Sequence, residues 1–213
     1  MDLAGKRILF QGDSITDAHR SRDISSENSA EALGVGYANH VASYLLATQP
    51  NASMRFLNRG ISGHRVVDLY ARWKVDALNL QPDVISILVG INDTWHEFNN
   101  ANGVEVARFE TIYQLMLEMT REVLPDVELI LCEPFALPCG AVGADWLPDV
   151  AGRIEVVHRL ADRFDAVLVP FQQVLKDAVG EGDPAYWAHD GVHPTPAGHR
   201  VMADAWLRAV GAA

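Results

Sequence analysis

Apolar residues recur along this chain with two alternating periods. Short runs at 7–11, 53–58, 83–89, 127–133 and 166–169 read as strands. The run Val84-Ile85-Ser86-Ile87-Leu88-Val89 is apolar on both of its faces, as a central strand covered by helices on each side must be. Between the runs, apolar residues return every three or four positions. Helices are predicted at 37–47 (Val41, Tyr44, Leu45, Leu46), 66–78 (Leu69, Tyr70, Trp73), 104–123 (Val106, Phe109, Tyr113, Met116), 149–164 (Ile154, Val157, Leu160, Phe164) and 196–210 (Val201, Ala205, Trp206). Pro82, Pro125 and Pro170 punctuate element ends. Strands alternating with helices predict an α/β fold around a parallel sheet. No repeat, low-complexity segment or linker divides the chain, so residues 1–213 read as one domain. Three stretches, 16–36, 93–103 and 135–148, break the periodicity and read as irregular. Each follows a strand's carboxyl end, the edge at which open α/β sheets bind ligands. The first, 16–36, is placed to line or cover a site.

Composition narrows the partners. Of 213 residues, 49% are hydrophobic and 21% charged, which suits a globular core. The formal net charge of −11 repels phosphate backbones and argues against nucleic acid. No run of about 20 apolar residues is present to span a bilayer, and no signal-peptide pattern opens the chain. Two cysteines, Cys132 and Cys139, are too few for a disulfide framework. The expectation is a cytoplasmic protein that acts without a membrane. A homo-oligomer is compatible with this.

The candidate chemistry lies in four short segments. In Gly12-Asp13-Ser14-Ile15, Ser14 follows the first strand and is placed to project as a nucleophile. In Asp190-Gly191-Val192-His193, the Gly and the following Pro194 disfavour regular structure, so a turn can aim both side chains one way. Asp190 would accept from His193 Nδ1–H, leaving Nε2 to take the serine proton. Ester hydrolysis puts charge on a carbonyl oxygen, and fixed donors stabilise it. The candidates are the Ser14 and Gly63 backbone N–H groups and the Asn92 side-chain amide, from Asn58-Arg59-Gly60-Ile61-Ser62-Gly63 and Gly90-Ile91-Asn92-Asp93. Two His/acid groupings, His189–Asp190–His193–His199 and Asp93–His96–Glu97, have ligating side chains. Neither has His-Glu-x-x-His spacing, and the serine constellation accounts for Asp190 and His193 without a metal. No cofactor is called for.

With these residues in place, the chain resembles the SGNH hydrolases of the GDSL esterase/lipase family, whose Ser, Gly, Asn and His correspond to Ser14, Gly63, Asn92 and His193. The first block reads Gly-Asp-Ser-Ile in place of Gly-Asp-Ser-Leu. The resemblance implies a three-layer α/β/α, flavodoxin-like sandwich with a five-stranded parallel sheet in the order 2-1-3-4-5. It also implies serine-dependent ester hydrolysis with Asp190 completing the triad. Within the family, residues 58–68, 90–98 and 190–199 are similar to bacterial intracellular acetylxylan and carbohydrate acetylesterases. That likeness implies a small acetylated sugar as substrate. Asp13, Trp95, His96 and Trp187 are then candidate substrate contacts, with Phe135 and Trp146 further candidates to line the cleft. The alternatives are a lysophospholipase or acyl-thioesterase on the same fold, or a non-catalytic carbohydrate-binding protein.

Overall fold

The structure is a computed structural model that describes residues 1–22 and 26–212. Its strands are β1 (Arg7–Gly12), β2 (Arg55–Asn58), β3 (Val84–Leu88), β4 (Glu128–Cys132) and β5 (Val167–Val169). All pair in parallel, in the order β2-β1-β3-β4-β5. The helices are α1 (Ser14–Asp17), α2 (Ala30–Leu33), α3 (Tyr37–Thr48), α4 (Val66–Asp76), α5 (Ile91–Asn100), α6 (Val106–Val123), α7 (Trp146–Phe164), α8 (Phe171–Val179) and α9 (Pro196–Ala209).

Side-chain alternation along each strand sends residues to two separate cores. Ile8, Phe10, Val84 and Leu88 meet Val41 and Leu45 of α3, Phe171 and Leu175 of α8, and Met202 and Trp206 of α9. Leu9, Ile85, Ile87 and Leu131 face the other way, onto Leu69 and Trp73 of α4, Tyr113 and Met116 of α6, and Val157 and Leu160 of α7. Each such fully buried side chain contributes about 1.5–3 kcal/mol of hydrophobic stabilisation. Ser86 is the one polar residue in β3; its hydroxyl accepts the Trp206 indole N–H at 3.0 Å, so neither group is stranded.

Three expectations need correction. The segment 93–103 is largely helical, because α5 runs through Ile91–Asn100. Within 16–36 lie the end of the single-turn helix α1 and the whole of the single-turn helix α2, while residues 23–25 fall outside the described residues. The segment 135–148 is irregular only to Asp145. Helix α7 begins at Trp146 and holds Pro148 in its first turn, where no backbone donor is needed.

The strand order reverses beside β1. From β1 the chain continues to β2 on one side; from β3 it continues to β4 on the other. A crevice therefore opens at the carboxyl ends of β1 and β3. Gly12 closes the gap beneath it, since a Cβ there would collide with the Leu88 carbonyl oxygen.

Candidate active site

Ser14 is the first residue of α1, directly past β1. The Asp13 carboxylate caps this turn by accepting from Ile15 N–H at 3.0 Å. The serine side chain is thereby aimed out of the crevice, where its Oγ lies 2.9 Å from His193 Nε2.

The histidine loop is built by its own aspartate. Asp190 Oδ1 accepts from Val192 N–H at 3.0 Å and from His193 N–H at 2.7 Å, an Asx-type turn. Its Oδ2 lies 2.7 Å from His193 Nδ1. An ionised carboxylate only accepts, so Nδ1 carries the proton and Nε2 presents its lone pair to Ser14. Partial burial works against the Asp190 charge, but the His193 and Val192 donors prevail and hold its pKa below the usual carboxylate value. The loop before α7 braces this turn: Leu137 N–H donates to Gly191 O, and Ala141 N–H to Asp190 O.

The three expected oxyanion donors each have a free hydrogen. The Ser14 and Gly63 N–H groups have no acceptor among the described residues. Asn92 Nδ2 donates one hydrogen to His64 O at 3.2 Å and keeps a second. Gly63 has φ +82, a turn conformation that glycine adopts without strain. Residues the sequence reading passed over hold this geometry. Asp17 Oδ2 accepts from both Ser62 N–H and Ser62 Oγ at 3.0 Å, pinning the Gly63 loop to α1. Arg72 donates to Gln11, the Gly12 carbonyl and His64 Nδ1, tying β1 to the loop that orients Asn92.

Two buried carboxyls lie under the site. Burial pushes Asp13 up to about 7, opposed by the Ile15 N–H and His193. Burial likewise raises Asp93 to about 7, opposed by Arg153 and by the Val66 N–H at the start of α4. Asp13 was an expected substrate contact; it is fully enclosed and cannot be one. Its raised pKa has a stability consequence. The folded value of about 7 lies above the unfolded value of about 3.9, so its contribution is full below about pH 4 and is lost as pH rises through 7. Asp13→Asn keeps the cap and removes the titration. Wild type should therefore lose up to about 4 kcal/mol relative to Asp13→Asn between pH 4 and 8, read by urea unfolding. Parallel pH profiles would refute this.

Two clefts adjoin Ser14 and His193. One, of about 410 Å³, is walled by Ile15, Ala18, Val35, Pro194, Pro196 and the histidines 19, 189 and 199. The other, of about 530 Å³, is bordered by Asp17, Ala18, His19, Arg20, Arg22 and Ser62. Part of the 16–36 segment thus lines both. Trp95, His96 and Trp187 line neither. The Trp95 ring centroid lies 5.8 Å from that of His193 and 5.3 Å from that of Trp146. His96 Nε2 is 3.1 Å from Gly63 O, on the donor-bearing loop. Trp187 packs edge-on against Tyr186 and the core. Phe135 and Trp146 are buried. Ligating atoms of His189, Asp190 and His193 lie within 4.8 Å of one another.

The chain matches the GDSL-like Lipase/Acylhydrolase family over residues 10–201. It is 37% identical to an acetylxylan esterase of Geobacillus stearothermophilus, over 98% of this chain and 95% of the relative. Among solved structures it superposes on a protein of Parabacteroides merdae described as a GDSL-like lipase, with TM-score 0.94, 38% identity and coverage of 98% and 97%. It also superposes on Axe2, an acetylxylan esterase from Geobacillus stearothermophilus, with TM-score 0.91, 32% identity and coverage of 99% and 97%. With the sheet order, the four blocks and relatives along nearly the whole length in agreement, the chain belongs to the GDSL-like lipase/acylhydrolase family and is a carboxylic ester hydrolase.

Proposed function

We propose that the protein removes acetyl groups from short acetylated sugars such as xylo-oligosaccharides, through an acyl-serine intermediate. Ser14 attacks the ester carbonyl while His193 takes its proton. Asp190 holds the imidazolium. The Ser14 and Gly63 N–H groups and the Asn92 amide receive the oxyanion. His193 then protonates the departing alcohol, and water, activated by His193, releases acetate. No metal or cofactor enters any step.

The observation that carries this reading is the continuous Asp190–His193–Ser14 relay at 2.7 and 2.9 Å. The acetylxylan esterase relative supports the acetyl and carbohydrate preference. No helix among the described residues is long and apolar enough to cross a membrane. We place the reaction in the cytoplasm, a reducing compartment consistent with the two free cysteines.

The test is kcat/KM across acetyl, butyryl, octanoyl and palmitoyl esters, with acetate release from acetylated xylo-oligosaccharides. Acetyl should be preferred. In an extended apolar groove each buried CH₂ would add about 0.8 kcal/mol of binding, so a lipid or thioester enzyme would rise steadily with chain length. A maximum at octanoyl or longer, with no acetate from the sugars, overturns the carbohydrate reading.

A further inference from the structure

His199 takes no part in the relay, yet it stands in the same cleft. It lies in the first turn of α9 and is only 8% exposed. Its Nδ1 accepts the Tyr37 backbone N–H at 3.2 Å. Tyr37 opens α3, and the cap position before it is Gly36, which has no side chain to offer. The imidazole thus caps α3 from a different helix.

That contact fixes the tautomer. A ring nitrogen that accepts an amide N–H carries no proton, so the proton of the neutral ring is on Nε2. Burial, reinforced by His40 and His193, lowers the pKa to about 4 and keeps the ring neutral in ordinary buffers. Nε2 has no hydrogen-bond partner among the described residues. The ring lines the space of about 410 Å³ that also exposes Ser14 and His193. Much of the remaining wall is apolar, formed by Ile15, Ala18, Val35, Pro194 and Pro196. A fixed donor is therefore held against these apolar walls beside the nucleophile.

We propose that His199 is a specificity-determining residue whose Nε2–H donates to an oxygen on the alcohol side of the substrate, favouring acetates of polyhydroxy alcohols over aryl acetates. The proposal rests on attack by Ser14. An acetyl group has one carbonyl oxygen, already claimed by the oxyanion donors, so an acceptor for His199 must come from the alcohol. A sugar or glycerol ester has such oxygens in plenty; phenyl acetate offers only the ester oxygen itself.

The experiment compares His199→Asn and His199→Gln on glycerol triacetate, an acetylated xylo-oligosaccharide and phenyl acetate. The Asn amide oxygen can replace Nδ1 at Tyr37 but reaches too short to replace Nε2. Gln does the reverse. His199→Asn should raise KM about five- to tenfold for the two polyol acetates, the range for one lost hydrogen bond, with phenyl acetate kinetics unchanged. His199→Gln should keep most of the selectivity even where its melting temperature falls. If one variant fails to fold, the other still decides. Equal losses from His199→Asn on all three substrates, or none, overturn the proposal, as does loss of the selectivity in His199→Gln. Wild-type enzyme inert on the oligosaccharide would overturn the carbohydrate reading alone, and glycerol triacetate would still decide the role of His199.

Discussion

Ser14→Ala is expected to lower kcat by roughly 10⁵–10⁶-fold while leaving the fold intact, the scale seen when the nucleophile of a serine triad is removed. The two halves of that expectation have separate causes. Ser14 Oγ has one partner, His193 Nε2, so losing the hydroxyl strands no other group. Alanine is a good helix former, and Ser14 is the first residue of α1, capped from Asp13 and not from its own side chain. Stability should therefore change by about 0.5 kcal/mol or less. The backbone N–H of residue 14 survives the substitution, so the proposed oxyanion donors persist and a residual rate above water should remain. The measurements are turnover of an aryl acetate, thermal unfolding, and mass spectrometry after a serine-directed phosphonate. Wild type should carry the adduct on Ser14, and the variant none. A variant that keeps a tenth of the activity, or labelling at a different serine, would falsify the assignment.

The parts of this fold that could be read from sequence are those where burial is hydrocarbon. Central strands such as β3 are covered on both faces, so their apolar runs stand out, and they are found within a residue or two of the expected ends. Helix α5 was missed for the opposite reason. Its buried residues include Asn92, Asp93 and Thr94, which bond the His64 carbonyl, the Val66 N–H and Asp149. A helix that buries polar groups for a site has no apolar stripe to detect. The loop through 135–145 is similarly silent, because it is held by backbone bonds to Asp190 and Gly191.

The site divides along the same line. Ser14, Gly63, Asn92, Asp190 and His193 stand in short strings whose turns demand Gly and Asp, and such strings are visible. Asp17 and Arg72 are not. Each is an ordinary charged residue of a helix whose partner, Ser62 or Gln11, lies 45 or 61 positions away. Only the strand order brings those pairs together. The aromatic residues are harder to read by type alone. Trp187 looks like a sugar platform by type, and its half-buried ring also packs edge-on against Tyr186 and against the core.

His193→Ala should cost roughly 10⁴–10⁶-fold in kcat, and Asp190→Asn about 10³–10⁴-fold, for different reasons. Alanine removes the base outright. Asparagine leaves the base but misdirects it. Its Oδ1 can still accept from the Val192 and His193 N–H groups, so the turn should hold. Its amide, however, sets an N–H against Nδ1 where the carboxylate accepted at 2.7 Å. The imidazole then favours the proton on Nε2 and faces Ser14 with a donor. The two variants separate on adding imidazole to the buffer: the small base can enter the space vacated in His193→Ala and restore part of the rate, but finds no space in Asp190→Asn. A stability measurement tests the same contact independently. The folded Asp190 pKa is depressed, so its stabilising contribution is present above the unfolded value of about 3.9 and is lost as pH falls through the lower folded value. Acid unfolding of wild type should accordingly include a component below about pH 4 that Asp190→Asn lacks. Near-wild-type turnover in Asp190→Asn, with an unchanged acid limb, would reduce the relay to a Ser14–His193 dyad.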